Sequence, residues 1–220
     1  MSFRKTIKRL GGEIVYRLKP GHSPRNRIVD IPEFHALRPG DIAIDCGANH
    51  GLISRILGAN GATVHAFEPN PDVFRYLVAN TKALPAVICH QQAVLDKPGQ
   101  MTLFLHLNYG RNPERFACAS SLIAEKRNVS ESRGVEVEVI DLSAFILALD
   151  RPVRLLKVDI EGAEYQLLNG LIDSGAMDRV ERVFVETHAR MISSLAPADA
   201  ALRARITALG LQQKINLNWI

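Results

Sequence analysis

The chain has 220 residues, 47% of them apolar and 23% charged, with 27 Lys and Arg against 23 Asp and Glu. That balance excludes a disordered, collagenous or coiled-coil protein, and the length suits one folded body that closes its core without disulfides or a structural metal. The charge is uneven: residues 1–40 carry nine Lys and Arg against three Asp and Glu, a surplus of +6, and the remaining 180 residues are at −2. A main body of that sign argues against a nucleic-acid-binding face.

Residues 1–40 read as a basic helical segment. Phe3, Ile7, Leu10, Ile14 and Leu18 form an apolar stripe with basic residues between them. Such a helix either docks on the core as a lid or rests on an anionic membrane surface as a peripheral contact through residues 1–19. Gly11 and Gly12, each costing a helix about 1 kcal/mol, favour docking. The segment MSFRKTIKRLGG lacks the apolar run and cleavage site of a secretion signal. No stretch reaches the roughly 20 apolar residues of a membrane span, so a cytoplasmic protein is expected. Cys46, Cys89 and Cys118 lie in or beside apolar runs without a C-x-x-C pair and read as reduced thiols.

From Asp41 onward strand-like runs alternate with amphipathic helical stretches, which predicts βαβ units and a mostly parallel α/β sheet with helices on both faces. The expected order is strand 41–45, helix 51–60, strand 63–68, a helix opened by Pro71 and running to Lys82, and strand 86–91. MTLFLHL (101–107) and VEVEVI (135–140) then predict an inserted antiparallel ribbon, and the polar segment between them a lid or substrate loop. Alternation resumes with strand 153–160, helix 163–173, strand 182–188, helix 198–209 and a last strand within LQQKINLNWI.

Ligands of such sheets bind beyond the carboxyl ends of the strands. There the sequence reads Asp45-Cys46-Gly47-Ala48-Asn49-His50-Gly51, then Glu68, then Gln92-Ala93, then Asp159-Ile160-Glu161-Gly162, then Glu186-Thr187-His188. Gly47 and Gly51 admit a ligand close to backbone, and Glu68, 21 residues after Gly47, stands where an acid accepts bonds from both ribose hydroxyls. The plain alternative is a tight turn with Glu68 capping the next helix. Asn49 occupies the middle position of a G-x-G-x-x-G loop and crowds a pyrophosphate, which disfavours NAD and favours S-adenosylmethionine. Asp45 then serves the cationic end of that donor.

The segments IDCGANHG, HAFEPNPDVFRYLVAN, LLKVDIEGAEYQLLNG and FVETH, from about Asp41 to His188, resemble the FkbM family of S-adenosylmethionine-dependent methyltransferases. Asp159, Glu161, Gly162 and Glu164 form the most specific element, D-x-E-G-x-E. The resemblance implies a class I methyltransferase (Rossmann-like) domain over 41–220 and O-methylation of a hydroxyl on a sugar, glycolipid or related natural product. It also implies that Asp45, Gly47, Asn49, Gly51 and Glu68 line the donor site, with Gln92 and Ala93 near the adenine. Ser120 and Ser121 match a further family element. The closing antiparallel strand pair of that fold is not evident before Ile220.

For chemistry, Asp159 is the first candidate base or substrate clamp, His188 the second through a neutral imidazole, and Glu161 stands between cap and catalyst. Glu164 reads first as a helix cap. Lys157 either pairs with one of these glutamates or merely decorates its strand. Asp159, Glu186 and His188 are candidate ligands for magnesium. The competing readings are a nucleotide-binding (NAD) oxidoreductase and a noncatalytic cofactor-binding module. The expected partner is a small-molecule or glycan acceptor, and the oligomeric state stays open.

Overall fold

The computed structural model describes residues 31–109, 121 and 129–219, together with the backbone of two short strands, β1 (Arg9–Leu10) and β2 (Glu13–Ile14). These two pair antiparallel, Arg9 with Ile14 and Leu10 with Glu13. The helix expected over residues 1–19 is therefore not formed at these four positions; the Gly11-Gly12 pair between them is a hairpin-type dipeptide, a signal that outranks the apolar stripe. The rest of that segment, and with it any membrane contact, lies outside the described residues.

The body begins earlier than Asp41. A one-turn helix, α1 (Pro32–His35), places Phe34 at 0% exposure, with its ring 5.1 Å from Phe184 and 5.8 Å from Trp219. Pro32 at the helix start needs no amide partner there. Phe34→Ala is expected to cost about 3–5 kcal/mol, the usual loss for a buried phenylalanine. Urea unfolding checks this, and an unchanged midpoint would detach residues 31–37 from the core.

Then follow β3 (Ile42–Cys46), α2 (Leu52–Gly58), β4 (Thr63–Phe67), α3 (Pro71–Thr81) and β5 (Val87–His90). A three-stranded annex comes next: β6 (Ala93–Leu95), β7 (Gly99–His106) and β8 (Val129–Asp141). The chain closes with α4 (Leu142–Ala148), β9 (Val153–Val158), α5 (Glu164–Asp173), β10 (Val180–Val185), α6 (Ala196–Ala208) and β11 (Ile215–Asn216). The main sheet has the order β11-β10-β9-β3-β4-β5, and every pair in it is parallel. Strand order reverses at β3 and β9, so the carboxyl ends of these two strands open the ligand crevice. β3 is buried at all five positions, as a central parallel strand covered on both faces must be.

Three elements depart from the sequence reading. The ribbon of β7 and β8 is present but longer, with pairing from Gly99 opposite Val139 to His106 opposite Val129, so residues 129–134 are strand and not lid. Helix α4 went unread although its signal was there: the Asp141 carboxylate caps it by accepting from the amide of Ala144 at 3.0 Å. The last strand pairs only at Ile215 and Asn216, because the Asn216 side chain takes up the amide of Asn218 and withdraws it from the ladder. Among the described residues no antiparallel strand follows it. Nor is any helix there long and apolar enough to cross a membrane.

Candidate functional site

One side of the crevice at the β3–β9 reversal is built from three strand ends. After β3 the chain turns through Gly47 (φ +74°) and Asn49 (φ +52°). The amides of Gly47 and Ala48 both donate to the carbonyl of Phe67, at 3.0 and 2.9 Å, which pins the loop over β4. A Cβ on Gly47 would lie 1.8 Å from the Asp159 carbonyl oxygen, so the loops after β3 and β9 touch backbone to backbone here. Asn49 tolerates its left-handed conformation because its side-chain oxygen accepts from the next amide, His50, at 2.7 Å.

Glu68 ends β4 and faces the crevice. Its carboxylate accepts from the amide of Asn49 through one oxygen and from that of Asn70 through the other, both at 2.9 Å. Burial pushes its pKa up to about 7, against the downward pull of those two amides. A carboxylate has about four acceptor positions, so two remain for a ligand. Gln92, Ala93, Val94 and Leu103 complete this wall. Glu68, Gly47, Asn49, Gln92 and Ala93 thus come together as the sequence suggested.

Asp45 and Gly51 do not join them. Asp45 is fully buried and faces away from the crevice wall, toward the hydroxyl of Ser54 at 2.6 Å and the ammonium of Lys157 at 3.0 Å. The register explains it: Asp45 on β3 stands directly opposite Lys157 on β9. The Asp45 carboxylate, expected at the cationic end of a donor, is engaged here by Ser54 and Lys157. At Gly51 (φ +82°) a Cβ would meet Leu77 at 2.8 Å, so this glycine serves the packing of α2 on α3.

Lys157 is the residue the sequence reading misplaced. It pairs with neither Glu161 nor Glu164; its ammonium donates to the carbonyls of Gly47 at 2.7 Å and Cys46 at 3.2 Å and lies 3.8 Å from Asp159. Burial alone would lower its pKa, but Asp45 and then Asp159 hold it above the ordinary lysine value. The usable signal was its place two residues before Asp159 on a strand neighbouring Asp45.

The same crevice is also lined by Asp159, Glu161, Ile160 and Ser121. Burial pushes Asp159 up to about 7; Lys157 pulls it down, Glu186 and Glu161 push it up, and His188 pulls it down. Glu161 sits in a left-handed backbone conformation (φ +58°), and its carbonyl accepts from the hydroxyl of Ser121 at 2.7 Å. That bond, with the two amide–carbonyl bonds between Ser121 and Phe104, anchors the inserted segment at the crevice. The remainder of the insert, residues 110–120 and 122–128 with Ser120 and Cys118, lies outside the described residues. Cys46 and Cys89 are free thiols.

His188 stands behind this wall at 1% exposure. One ring nitrogen, Nδ1, is 2.8 Å from Glu164, and the other, Nε2, is 3.2 Å from Glu161 and 3.8 Å from Asp159. Burial would lower its pKa, yet hydrogen bonds to Glu161 and Glu164 raise it to about 10. The imidazole expected as a second base is buried among the carboxylates of Asp159, Glu161 and Glu164, which favour its protonated form. Glu164, expected as a helix cap, instead braces the loop before its helix, accepting from the amides of Ile160 at 3.2 Å and Gly162 at 3.0 Å, and it lies 2.8 Å from His188. The ligand-type group that the structure assembles is Asp159, Glu161 and His188, with Glu161 standing where Glu186 had been expected.

Comparison with known proteins bears on this arrangement. The family described as "Methyltransferase FkbM domain" matches residues 45–212. A 31-O-demethyl-FK506 methyltransferase FkbM from Streptomyces tacrolimicus is 32% identical over 69% of this chain and 67% of its own length. A hexuronic acid methyltransferase AglP from Haloferax volcanii is 28% identical over 68% of this chain and 56% of its own. Among solved structures, a methyltransferase FkbM from Methylobacillus flagellatus KT aligns at a TM-score of 0.36 and 15% identity, covering 61% of this chain and 29% of its own. The 23S rRNA methyltransferase ErmE aligns at 0.38 and 14% identity, covering 73% and 45%.

Proposed function

Since the chain belongs to the FkbM methyltransferase domain family, we propose that it uses S-adenosylmethionine to methylate a hydroxyl oxygen of a sugar, glycolipid or related small molecule. One observation carries this reading: a donor wall centred on Glu68 and the Gly47–Asn49 loop meets the Asp159 wall at one crevice, where Gly47 and Asp159 touch. The relatives' names support an oxygen acceptor, one specifying a 31-O position and the other a hexuronic acid.

The residues present fit such a donor. The two free acceptor positions of Glu68 suit the paired hydroxyls of an unphosphorylated ribose, and Ala93, Val94 and Leu103 give an apolar wall for an adenine. Bound, the donor supplies a methyl group on a sulfonium, electrophilic without further activation. The protein's share is to hold the acceptor oxygen in line with it and to take the proton. Asp159, the partly exposed carboxylate lining the crevice, would take the proton of the acceptor hydroxyl when a donor is bound. Lys157, bonded to the Gly47 carbonyl and close to Asp159, keeps the two walls in register.

Titration calorimetry tests the reading. S-adenosylhomocysteine should bind and NAD should not, and Glu68→Ala should weaken binding by about 1–3 kcal/mol. The ionised carboxylate is the form that accepts ribose hydroxyls, and folding raises its pKa to about 7. Affinity should therefore rise as pH increases through 7 and fall below it, by about tenfold per unit at the acidic end. Glu68→Gln should flatten that profile. Preferential binding of NAD, or unchanged affinity in Glu68→Ala, would overturn the assignment.

A further inference from the structure

The transfer step uses the exposed edge of the acid cluster and leaves its buried side unexplained. We propose that Asp159, Glu161 and Nε2 of His188 bind one divalent cation of the magnesium or manganese type. The inference rests on the reading of this wall as the acceptor side and adds a ligand to it.

Spacing is the first argument. Two donor atoms each about 2.1 Å from an octahedral ion lie about 3.0 Å apart when adjacent and about 4.2 Å apart when opposite. In the protein Nε2 of His188 is 3.2 Å from Glu161 and 3.8 Å from Asp159, and the three ligand atoms lie within 4.8 Å of one another. An ion enters with sub-ångström adjustment, where a random surface pair of acids would need side chains to swing.

Orientation is the second. A metal-binding histidine commonly donates its other ring N–H to a carboxylate, which fixes the tautomer and aims the free nitrogen at the ion. In His188 the Nδ1 atom lies 2.8 Å from Glu164 as an ion-pair contact, and Glu164 is itself held by the amides of Ile160 and Gly162, which sets the ring with Nε2 toward the other two carboxylates. A ring with almost no solvent exposure thus presents Nε2 to the two carboxylates on the crevice wall.

Charge is the third. Asp159, Glu161 and Glu164 carry oxygens within 3.8 Å of the His188 ring nitrogens, and the second oxygen of Glu164 is buried without a hydrogen-bond partner. Lys157, the ammonium beside Asp159, lies closer to Asp45. A dication offsets the charge of the carboxylates that meet the ring. One imidazole with two carboxylates suits manganese or magnesium and leaves positions for water or for acceptor hydroxyls. A polyol with two neighbouring hydroxyls is the acceptor such a site prefers.

Manganese is the probe. The full chain is titrated with Mn2+ by electron paramagnetic resonance, which reads the loss of the free-ion signal, with S-adenosylhomocysteine binding measured by calorimetry on the same sample. One Mn2+ per chain is expected, with Asp159→Asn and Glu161→Gln each weakening it at least about tenfold and Glu164→Gln about tenfold through the ring it orients. Both ligand carboxylates are partly exposed, so these two variants keep the core intact. Absence of bound Mn2+ at about 1 mM, or binding that survives both ligand substitutions, overturns the site. A chain that takes up S-adenosylhomocysteine but no Mn2+ overturns the cation site alone. Uptake of Mn2+ at these ligands without S-adenosylhomocysteine upholds it and overturns the donor reading.

Discussion

Asp159→Asn should lower methyl transfer by about 10²- to 10⁴-fold, the range for losing a positioned general base, while S-adenosylhomocysteine affinity stays within about threefold of wild type. The separation follows from placement. Asp159 shares the crevice with Glu68 but makes its ion pairs with Lys157 and His188, while Glu68 is held by the amides of Asn49 and Asn70. Asparagine keeps the shape, and the backbone contact of residue 159 with Gly47 does not involve the side chain. Turnover is read as release of S-adenosylhomocysteine with a hydroxyl acceptor that supports the wild-type reaction. Full turnover in the variant would leave catalysis to positioning alone, and loss of donor affinity in parallel would move Asp159 to the donor wall.

Gly47→Ala should be the most damaging single-methyl change in the chain. The added carbon would lie 1.8 Å from the Asp159 carbonyl oxygen and 2.9 Å from its carbonyl carbon, in a backbone at φ +74°. Both neighbours are backbone, so no rotamer change relieves the clash. Either the β3 loop or the β9 loop must move, and with it the Lys157 bond to the Gly47 carbonyl. A loss of at least about 3 kcal/mol in urea unfolding is expected, together with loss of measurable S-adenosylhomocysteine binding. Wild-type stability and affinity in this variant would show that the two loops do not meet in solution. The glycine was visible in the sequence as part of a ligand loop; its partner, a carbonyl 112 residues later, was not.

The elements of the main sheet were legible because their signals are local. Apolar runs such as those of β3 and β9 are buried along almost their whole length, and Pro71 behind the Asn70 cap marks the start of α3 within a residue. Glu68 was legible for the same reason, as an acid at a strand end at a set distance from a glycine turn. Where two local signals competed, the reading failed. Arg9–Leu10 and Glu13–Ile14 pair as strands, while the apolar stripe there suggested a helix.

The site shows where local signals stop. Sequence alone placed Asp45, Asp159, Glu161 and His188 at strand ends, but the direction each side chain faces depends on neighbours distant in the chain. Asp45 turns inward because strand register sets Lys157 beside it. His188 is buried, with its protonated form favoured, because Glu161 and Glu164 converge on its two nitrogens. Sequence thus determined a parallel α/β sheet, an acid and a glycine turn at donor spacing, and a family. Tertiary structure decided which carboxylates meet the crevice and which are spent inside, because a charge buried in low dielectric takes its protonation and its partner from whatever lies within a few ångströms, and that neighbourhood is fixed only when the strands pair.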